Sequence, residues 1–256
     1  MNTQQTIDKL NWIKVCTMAE EYRKQTRDPE ISSLSFDERF GLLVDSEWVA
    51  RQNKRLANLV RKAGMKYNCA IEEIIYSPDR NVDRNTMMQL STCSWILDGL
   101  NVIITGATGT GKTFIGCALG NAACRNNYRV LFVRLPRLLT DLAIARGDGS
   151  YNRLMKELKK VKLLILDDWG INNFDPVAGR DILEVIEDRN QTNSTVILSQ
   201  LSIADWHSLF SDPIVADAVM DRLIHGSHII ELIADDSMRK FKYKNQSLRG
   251  SVNNFL

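Results

Sequence analysis

Several features that would place a chain outside the cytoplasm, or in a small stapled fold, are missing from these 256 residues. Cysteine is scarce: Cys16, Cys69, Cys93, Cys117 and Cys124 are odd in number and have no CxxC spacing. That pattern argues against a disulfide framework and against a zinc site, and leaves small buried apolar roles as the expectation. Long hydrophobic runs are also lacking. The longest stretch without a charge, Asn190 to Ala204, is fifteen residues rich in Asn, Gln, Ser and Thr, below the roughly 18 apolar residues of a membrane span. The first residues, MNTQQTIDKLNWIK, carry an acid and several amides where a secretory leader would have an apolar core. A cytoplasmic protein with no membrane partner is expected.

Bulk charge is nearly absent as well, since 33 Lys+Arg against 31 Asp+Glu leave a formal +2. Affinity for a polyanion would therefore have to come from local clustering. With 44% hydrophobic and 25% charged residues, the composition excludes a wholly disordered chain. The length suits one large domain or a large domain with a small appendage. No internal repeat or low-complexity tract is present.

Residues 1 to about 80 show polar and apolar positions at helical spacing and no convincing strand, whereas strand-like runs start at Asn101. The segment YSPDRNVDRN, between about Tyr76 and Asn85, reads as the connector. A helical N-terminal domain over residues 1–80 and a second domain over 81–256 are expected. In the first, Ser35 and Glu38 have capping-box spacing, so a helix is expected to start at Phe36, with Phe40, Leu43 and Val44 following at helical intervals. Further on, RQNKRLANLVRKAGMK holds six basic residues and no acid. At about 100° per residue, Arg51, Lys54, Arg55, Arg61, Lys62 and Lys66 share one arc, and Leu56, Leu59, Val60 and Ala63 another. With no acid among them to pair at i,i+4, the basic arc is a candidate surface for nucleic-acid phosphates, against a plainly solvated face.

From Asn101 the pattern is NVIITG, YRVLFVRL, KLLILDD, STVILSQ and HIIEL, with helical stretches between. Five such strands imply an α/β fold with a mainly parallel five-stranded sheet flanked by helices. Directly after the first strand comes GATGTGKT, which fits the phosphate-binding loop pattern of two glycines five apart followed by Lys and Thr. Gly106, Ala107, Thr108, Gly109, Thr110 and Gly111 form a bend whose N–H groups can turn toward a phosphate at a helix N-terminus. Lys112 would reach the β- and γ-phosphates of ATP, and the Thr113 hydroxyl would ligate Mg²⁺. The third strand ends in Asp167 and Asp168. Asp167 is the natural second holder of Mg²⁺, through a water, and Asp168 stands where a carboxylate could orient or deprotonate the attacking water.

The order and spacing of GATGTGKT, LLILDDWG, ILSQ, DPIVADAVMDRL and SMRK resemble AAA+ ATPases of the DnaC-like group. With SFDERFGLLVDSEW and its basic sequel, the resemblance covers roughly residues 33 to 243 and is most similar to the IstB family, helper ATPases of bacterial insertion sequences. It implies that Ser199 is the sensor-one residue, that Arg222 is an arginine finger reaching a neighbouring subunit's nucleotide, and that Arg239 is the sensor-two arginine. It further implies an ATP-dependent homo-oligomer on duplex DNA that recruits a transposase. Two departures stand out. Asp168 stands where AAA+ proteins usually have a glutamate, and only about twenty-four residues follow the fifth strand, too few for the helical lid of most AAA+ proteins to carry Arg239.

Two other functions use related parts. A replicative helicase loader shares the ATPase core but would need a helicase-docking segment, which SFDERFGLLVDSEW does not suggest. A small-molecule kinase would add a substrate-closing lid, and the paired aspartates fit hydrolysis better. The HxxH of His225 and His228 has no third ligand nearby in sequence and reads as a loop. Trp48, Trp95, Trp169 and Trp206 read as core or interface anchors, and the basic run from Arg239 to Arg249 as either a second nucleic-acid contact or a solvated tail.

Overall fold

The computed structural model describes residues 2–76 and 80–233. Arg239, the Arg239 to Arg249 run and the region expected to lack a lid lie outside the described residues. The chain divides into two compact units, Met1–Asn58 and Leu59–Leu256.

The first unit is helical: α1 (Thr3–Trp12), α2 (Cys16–Gln25), the single turn α3 (Pro29–Ser32) and the greater part of α4 (Phe36–Ala63). Helix α4 starts where the capping box requires, with the Ser35 N–H donating to Glu38 Oε2 at 2.8 Å and the Glu38 N–H to Ser35 Oγ at 3.3 Å. Packing then departs from the simple apolar arc. Phe36, Phe40 and Val44 are exposed and Leu43 is half-buried, while Glu47 is buried. Its carboxylate accepts the Met18 N–H at 3.1 Å, in the first turn of α2, and the Arg51 Nε–H at 2.8 Å. A carboxylate at a helix N-terminus is stabilised by the unpaired amides there, which explains an acid in the small core of this unit.

The division falls inside α4, some twenty residues before the connector read from sequence. Residues 59–76 carry no strand pattern, so they look like a continuation of the helical part. Their packing, however, belongs to the second unit. Ala63 is fully buried, Cys69 Sγ donates to the Phe114 carbonyl at 3.3 Å, and Asn121 Nδ2 donates to the Cys69 carbonyl at 2.8 Å.

That unit continues through α5 (Arg84–Ser91), α6 (Ser94–Leu97), β1 (Val102–Gly106), α7 (Lys112–Arg125), β2 (Val130–Arg134), α8 (Leu135–Asp148), α9 (Tyr151–Lys160), β3 (Leu163–Trp169), α10 (Pro176–Glu187), β4 (Ser194–Ser199), α11 (Pro213–Ile224) and β5 (His228–Leu232). All five strands fall on the runs read from sequence. They pair in parallel in the order β2-β3-β4-β1-β5. Residues 102–104, 163–165 and 196–198, in the three inner strands, are wholly buried, as expected for parallel strands covered on both faces. One face carries Ile103, Leu164, Leu166 and Ile197 against the apolar sides of α8, α10 and α11. The alternate residues meet α7, which lies close because a Cβ at Gly116 would stand 2.8 Å from Leu198 Cδ1.

At the strand-entry side, Arg189 is 1% exposed and donates to the carbonyls of Leu158, Val161 and Ser194 and to Thr195 Oγ1. It ties α9 to the start of β4, and burial pushes its guanidinium down to about 9. Trp95, Trp169 and Trp206 are buried as expected, whereas Trp48 is exposed. Four cysteines are buried and Cys16 is exposed.

Candidate nucleotide site

Parallel strands deliver their C-terminal ends to one edge of the sheet, so the loops after β1 and β3 are neighbours there although some sixty residues separate them. The loop after β1 starts at Gly106, whose φ of +141° and whose contact with β5 both demand glycine, since an added Cβ would run into the Leu232 carbonyl. It ends at Gly111, which precedes α7. Inside it, Lys112 Nζ donates to the carbonyls of Gly106 at 2.6 Å and Ala107 at 2.9 Å. Burial pushes this ammonium's pKa down, and the charges of Asp167 and Asp168 pull it back up.

Thr113, one residue into α7, donates its hydroxyl to Asp167 Oδ2 at 3.1 Å. Asp167 is buried, and its carboxyl is held above the usual aspartate range by that burial and then by the charge of Asp168. The backbone turns sharply here. The β3 to β4 register slips between Leu166 and Trp169, and Asp168 takes φ +62°. Adjacent strand residues point to opposite faces, so this irregularity is what turns Asp168 away from strand geometry. Its N–H donates to Asp167 Oδ1 at 3.0 Å, and its carboxylate accepts the Nε–H of Arg134, the last residue of β2. Beyond it, Trp169 packs on Trp206 at 5.1 Å and Phe174 at 5.6 Å between ring centroids, which anchors the turn from below.

Ser199 ends β4, between β1 and β3 as the sensor-one reading requires. It is fully buried. Its hydroxyl donates to the Trp169 carbonyl at 3.0 Å and accepts the Leu201 N–H at 3.1 Å, so it braces the turn that carries Asp168. Gln200, the next residue, is exposed at the same strand end. Arg222 lies elsewhere. Its carbonyl accepts from Asn101 Nδ2 at 3.3 Å, at the entry to β1, and the five residues of β1 separate that edge from the phosphate loop by about 16 Å at a rise of about 3.3 Å each. Its guanidinium pairs with Glu187 and donates to the Ala218 carbonyl at 2.8 Å.

The basic arc is only partly as read from sequence. Helix α4 ends at Ala63 and the chain turns at Gly64, so Lys66 lies beyond the helix. Arg51 has an acid one turn earlier, Glu47, and also donates to the Lys14 carbonyl at 3.2 Å. Lys54 and Arg55 in the first unit, and Arg61 and Lys62 in the second, are exposed. His225 Nε2 is 3.2 Å from Asp221, and His228 begins β5.

Three polar residues near the site were not read from sequence. Arg134 is the last residue of β2, one short of the end of the second strand run, and its place near the strand end was the available signal. Gln200 is one residue beyond the serine chosen. Arg80, buried in the connector, donates to the Thr110 carbonyl at 2.8 Å, and nothing in its sequence neighbourhood marks it.

A parallel sheet ordered β2-β3-β4-β1-β5, with a phosphate loop after β1 and paired acids after β3, defines a P-loop NTPase of the AAA+ class. Its folds are found among solved structures. The DnaC helicase loader matches with a TM-score of 0.55 over 65% of this chain and 97% of its own, at 18% identity. The replication initiator DnaA bound to AMPPCP and single-stranded DNA matches with a TM-score of 0.56 over 73% of this chain and 56% of its own, at 20% identity. Both likenesses are of fold alone.

Sequence relatives narrow the class. Residues 7–247 match the family described as IstB-like ATP binding protein, and the chain belongs to that family. An insertion-sequence ATP-binding protein of Sinorhizobium fredii is 41% identical over 93% of this chain and 98% of its own length. Another, of Pseudomonas fluorescens, is 44% identical over 78% of this chain and 87% of its own. The chain is thus an ATP-binding protein and an ATPase. Among the described residues no helix is long and apolar enough to cross a membrane.

Proposed function

We propose that the chain is the ATP-dependent helper of a DNA transposition system: ATP-loaded copies assemble on duplex DNA and recruit the transposase that performs the strand chemistry. The observation that carries this reading is the position of Arg222 at the sheet edge opposite its own phosphate loop. Away from its own phosphate loop and near the protein surface, it is placed for use on the nucleotide of another copy, which supports a hydrolytic site completed by assembly. The curated relatives are described as insertion-sequence ATP-binding proteins, which supports the setting.

Within the site, the loop amides and Lys112 bind the phosphates of ATP. Thr113 Oγ1 and the Asp167 carboxylate, 3.1 Å apart at the mouth of the loop, are hard oxygen donors, the ligand type that Mg²⁺ prefers. The pair fits Mg²⁺, which when bound neutralises charge on the phosphate oxygens. Asp168 orients water and accepts its proton once Arg134 lets go of the carboxylate. Ser199 acts through the Trp169 carbonyl as a positioning residue, and Gln200 is the side chain free to face the γ-phosphate or the water. The planar cation of Arg222 from a neighbour stabilises charge developing on the transferred group.

For DNA, the exposed Lys54 and Arg55 of the first unit and Arg61 and Lys62 of the second are assigned as phosphate contacts. The test is electron microscopy of the protein with duplex DNA, with and without ATP, followed by a pull-down of the cognate transposase. Ordered oligomers that need ATP and retain the transposase are expected. Monomers under every condition would overturn the proposal.

A further inference from the structure

Arg80 is only 6% exposed, and no carboxylate among the described residues pairs with it. Its fork instead reaches backbone oxygens on two segments: Nη1 donates to the Ile75 carbonyl and Nη2 to the Thr110 carbonyl. The surrounding backbone is held as well. The Arg80 carbonyl accepts the Ile233 N–H at 3.3 Å, and Asn81 Nδ2 donates to the Glu231 carbonyl at 3.1 Å, so the segment is docked on the end of β5 beside the phosphate loop. Burial lowers the guanidinium's pKa, and its Nε is left without a partner. An arginine kept there at that desolvation cost is fixed by the two carbonyls it bridges.

One of those carbonyls belongs to the loop itself. A trans peptide is planar, with C=O and the following N–H on opposite sides. Holding the Thr110 oxygen toward Arg80 therefore directs the Gly111 N–H away from it. Thr110 is further locked, with Oγ1 donating to the Ala107 carbonyl at 2.9 Å, so its peptide has little freedom to flip.

We propose that Arg80 is a positioning residue for phosphate binding, clamping the Thr110–Gly111 peptide in the orientation that presents the Gly111 N–H to the β-phosphate of the nucleotide. The proposal rests on ATP binding at this loop and adds a contributor from outside it. Lysine cannot replace it, because a single ammonium lacks the planar fork that spans the Ile75 and Thr110 carbonyls.

The test uses the full chain and Mg-ADP, with Arg80→Met and Arg80→Lys, and Lys112→Ala as the control for the loop. Three quantities are measured: the melting midpoint without nucleotide, the ADP dissociation constant, and the ³¹P resonance of the bound β-phosphorus. The expected result is cooperative melting in the absence of nucleotide, ADP affinity lower by about tenfold or more, and a displaced β-phosphorus resonance. A merely structural arginine would lower the midpoint and leave the affinity and the resonance of the folded protein at wild-type values. If Arg80→Met does not fold, Arg80→Lys decides, since it keeps the charge and most of the stem. Wild-type affinity and resonance in folded Arg80→Lys, with Lys112→Ala unable to bind, overturn the proposal alone. Wild-type binding by Lys112→Ala overturns the loop as the site as well.

Discussion

Arg134, the last residue of β2, donates its Nε–H to the carboxylate of Asp168 in the turn beyond β3. The two belong to adjacent strands, with Arg134 in register with Asp167, and the left-handed backbone at Asp168 is what swings its side chain to the arginine. A carboxylate oxygen engaged by a guanidinium is occupied and is not free to take up a water. The pair therefore restrains the acid assigned to activate water. Arg134→Ala should raise phosphate release in the absence of DNA severalfold, and Asp168→Asn should lose most turnover while still binding ATP. A rate in Arg134→Ala at or below wild type would mean that the arginine supports the acid.

Asp167 should show a conflict between stability and function. Its folded pKa is raised by burial and by Asp168. For a raised carboxyl, the stabilising contribution is present below the unfolded pKa and is lost as pH rises through the folded one, so the ionised group is a liability at neutral pH. Asp167→Asn keeps one acceptor oxygen for the Asp168 N–H and presents an amide N–H to Thr113, whose hydroxyl oxygen can accept it. It should raise the melting midpoint without nucleotide by roughly 2 °C or more at pH 7, with the gain shrinking toward pH 4, and abolish Mg-dependent hydrolysis. An unchanged or lower midpoint at pH 7 would contradict this.

Ser199 and Gln200 should separate into support and contact. Ser199→Ala removes a buried hydroxyl that two backbone groups use, so it should destabilise the fold by about 1–3 kcal/mol and lower turnover through the displaced turn. Gln200→Ala should leave the melting curve unchanged and lower hydrolysis at saturating ATP. The reverse pattern would return the direct contact to Ser199.

Arg222→Ala removes the partner of Glu187 on the exposed side of α10 and leaves the phosphate loop untouched. It should bind ATP normally and hydrolyse it poorly. Mixed with Asp168→Asn, it should regain partial activity, because some pairs then join an intact acid to an intact arginine. Two inactive proteins that never rescue each other at any ratio would remove the case for a shared site.

Neutralising Arg55, Arg61 and Lys62 together should weaken duplex DNA binding without changing ATP affinity. For every DNA phosphate that is no longer neutralised, the slope of log affinity against log salt should flatten by about 0.9 on B-DNA. Subunit association is to be measured separately without DNA, since loss of assembly also lowers apparent affinity. An unchanged slope in an assembly-competent variant would shift the DNA-binding surface elsewhere in the chain, the Arg239 to Arg249 run being the next to test.

Local chemistry made much of this legible from the sequence alone. GATGTGKT holds the glycines, the lysine and the threonine of the phosphate-loop pattern within eight consecutive residues, so no distant contact was needed to read it. The five strand runs were readable because buried parallel strands need continuous apolar stretches, and the start of α4 because a capping box closes within four residues. What the tertiary structure decided depends on pairs distant in the chain. It paired Arg51 with the buried Glu47, drew residues 59–76 onto the second unit, and placed Lys66 beyond the helix end. It committed the Ser199 hydroxyl to the Trp169 carbonyl, thirty residues away, and left Gln200 as the exposed neighbour. It set Arg134 on Asp168 and Arg80 on Thr110, pairings that no spacing rule anticipates, because hydrogen bonding depends on where strand order and a backbone slip bring two atoms in space.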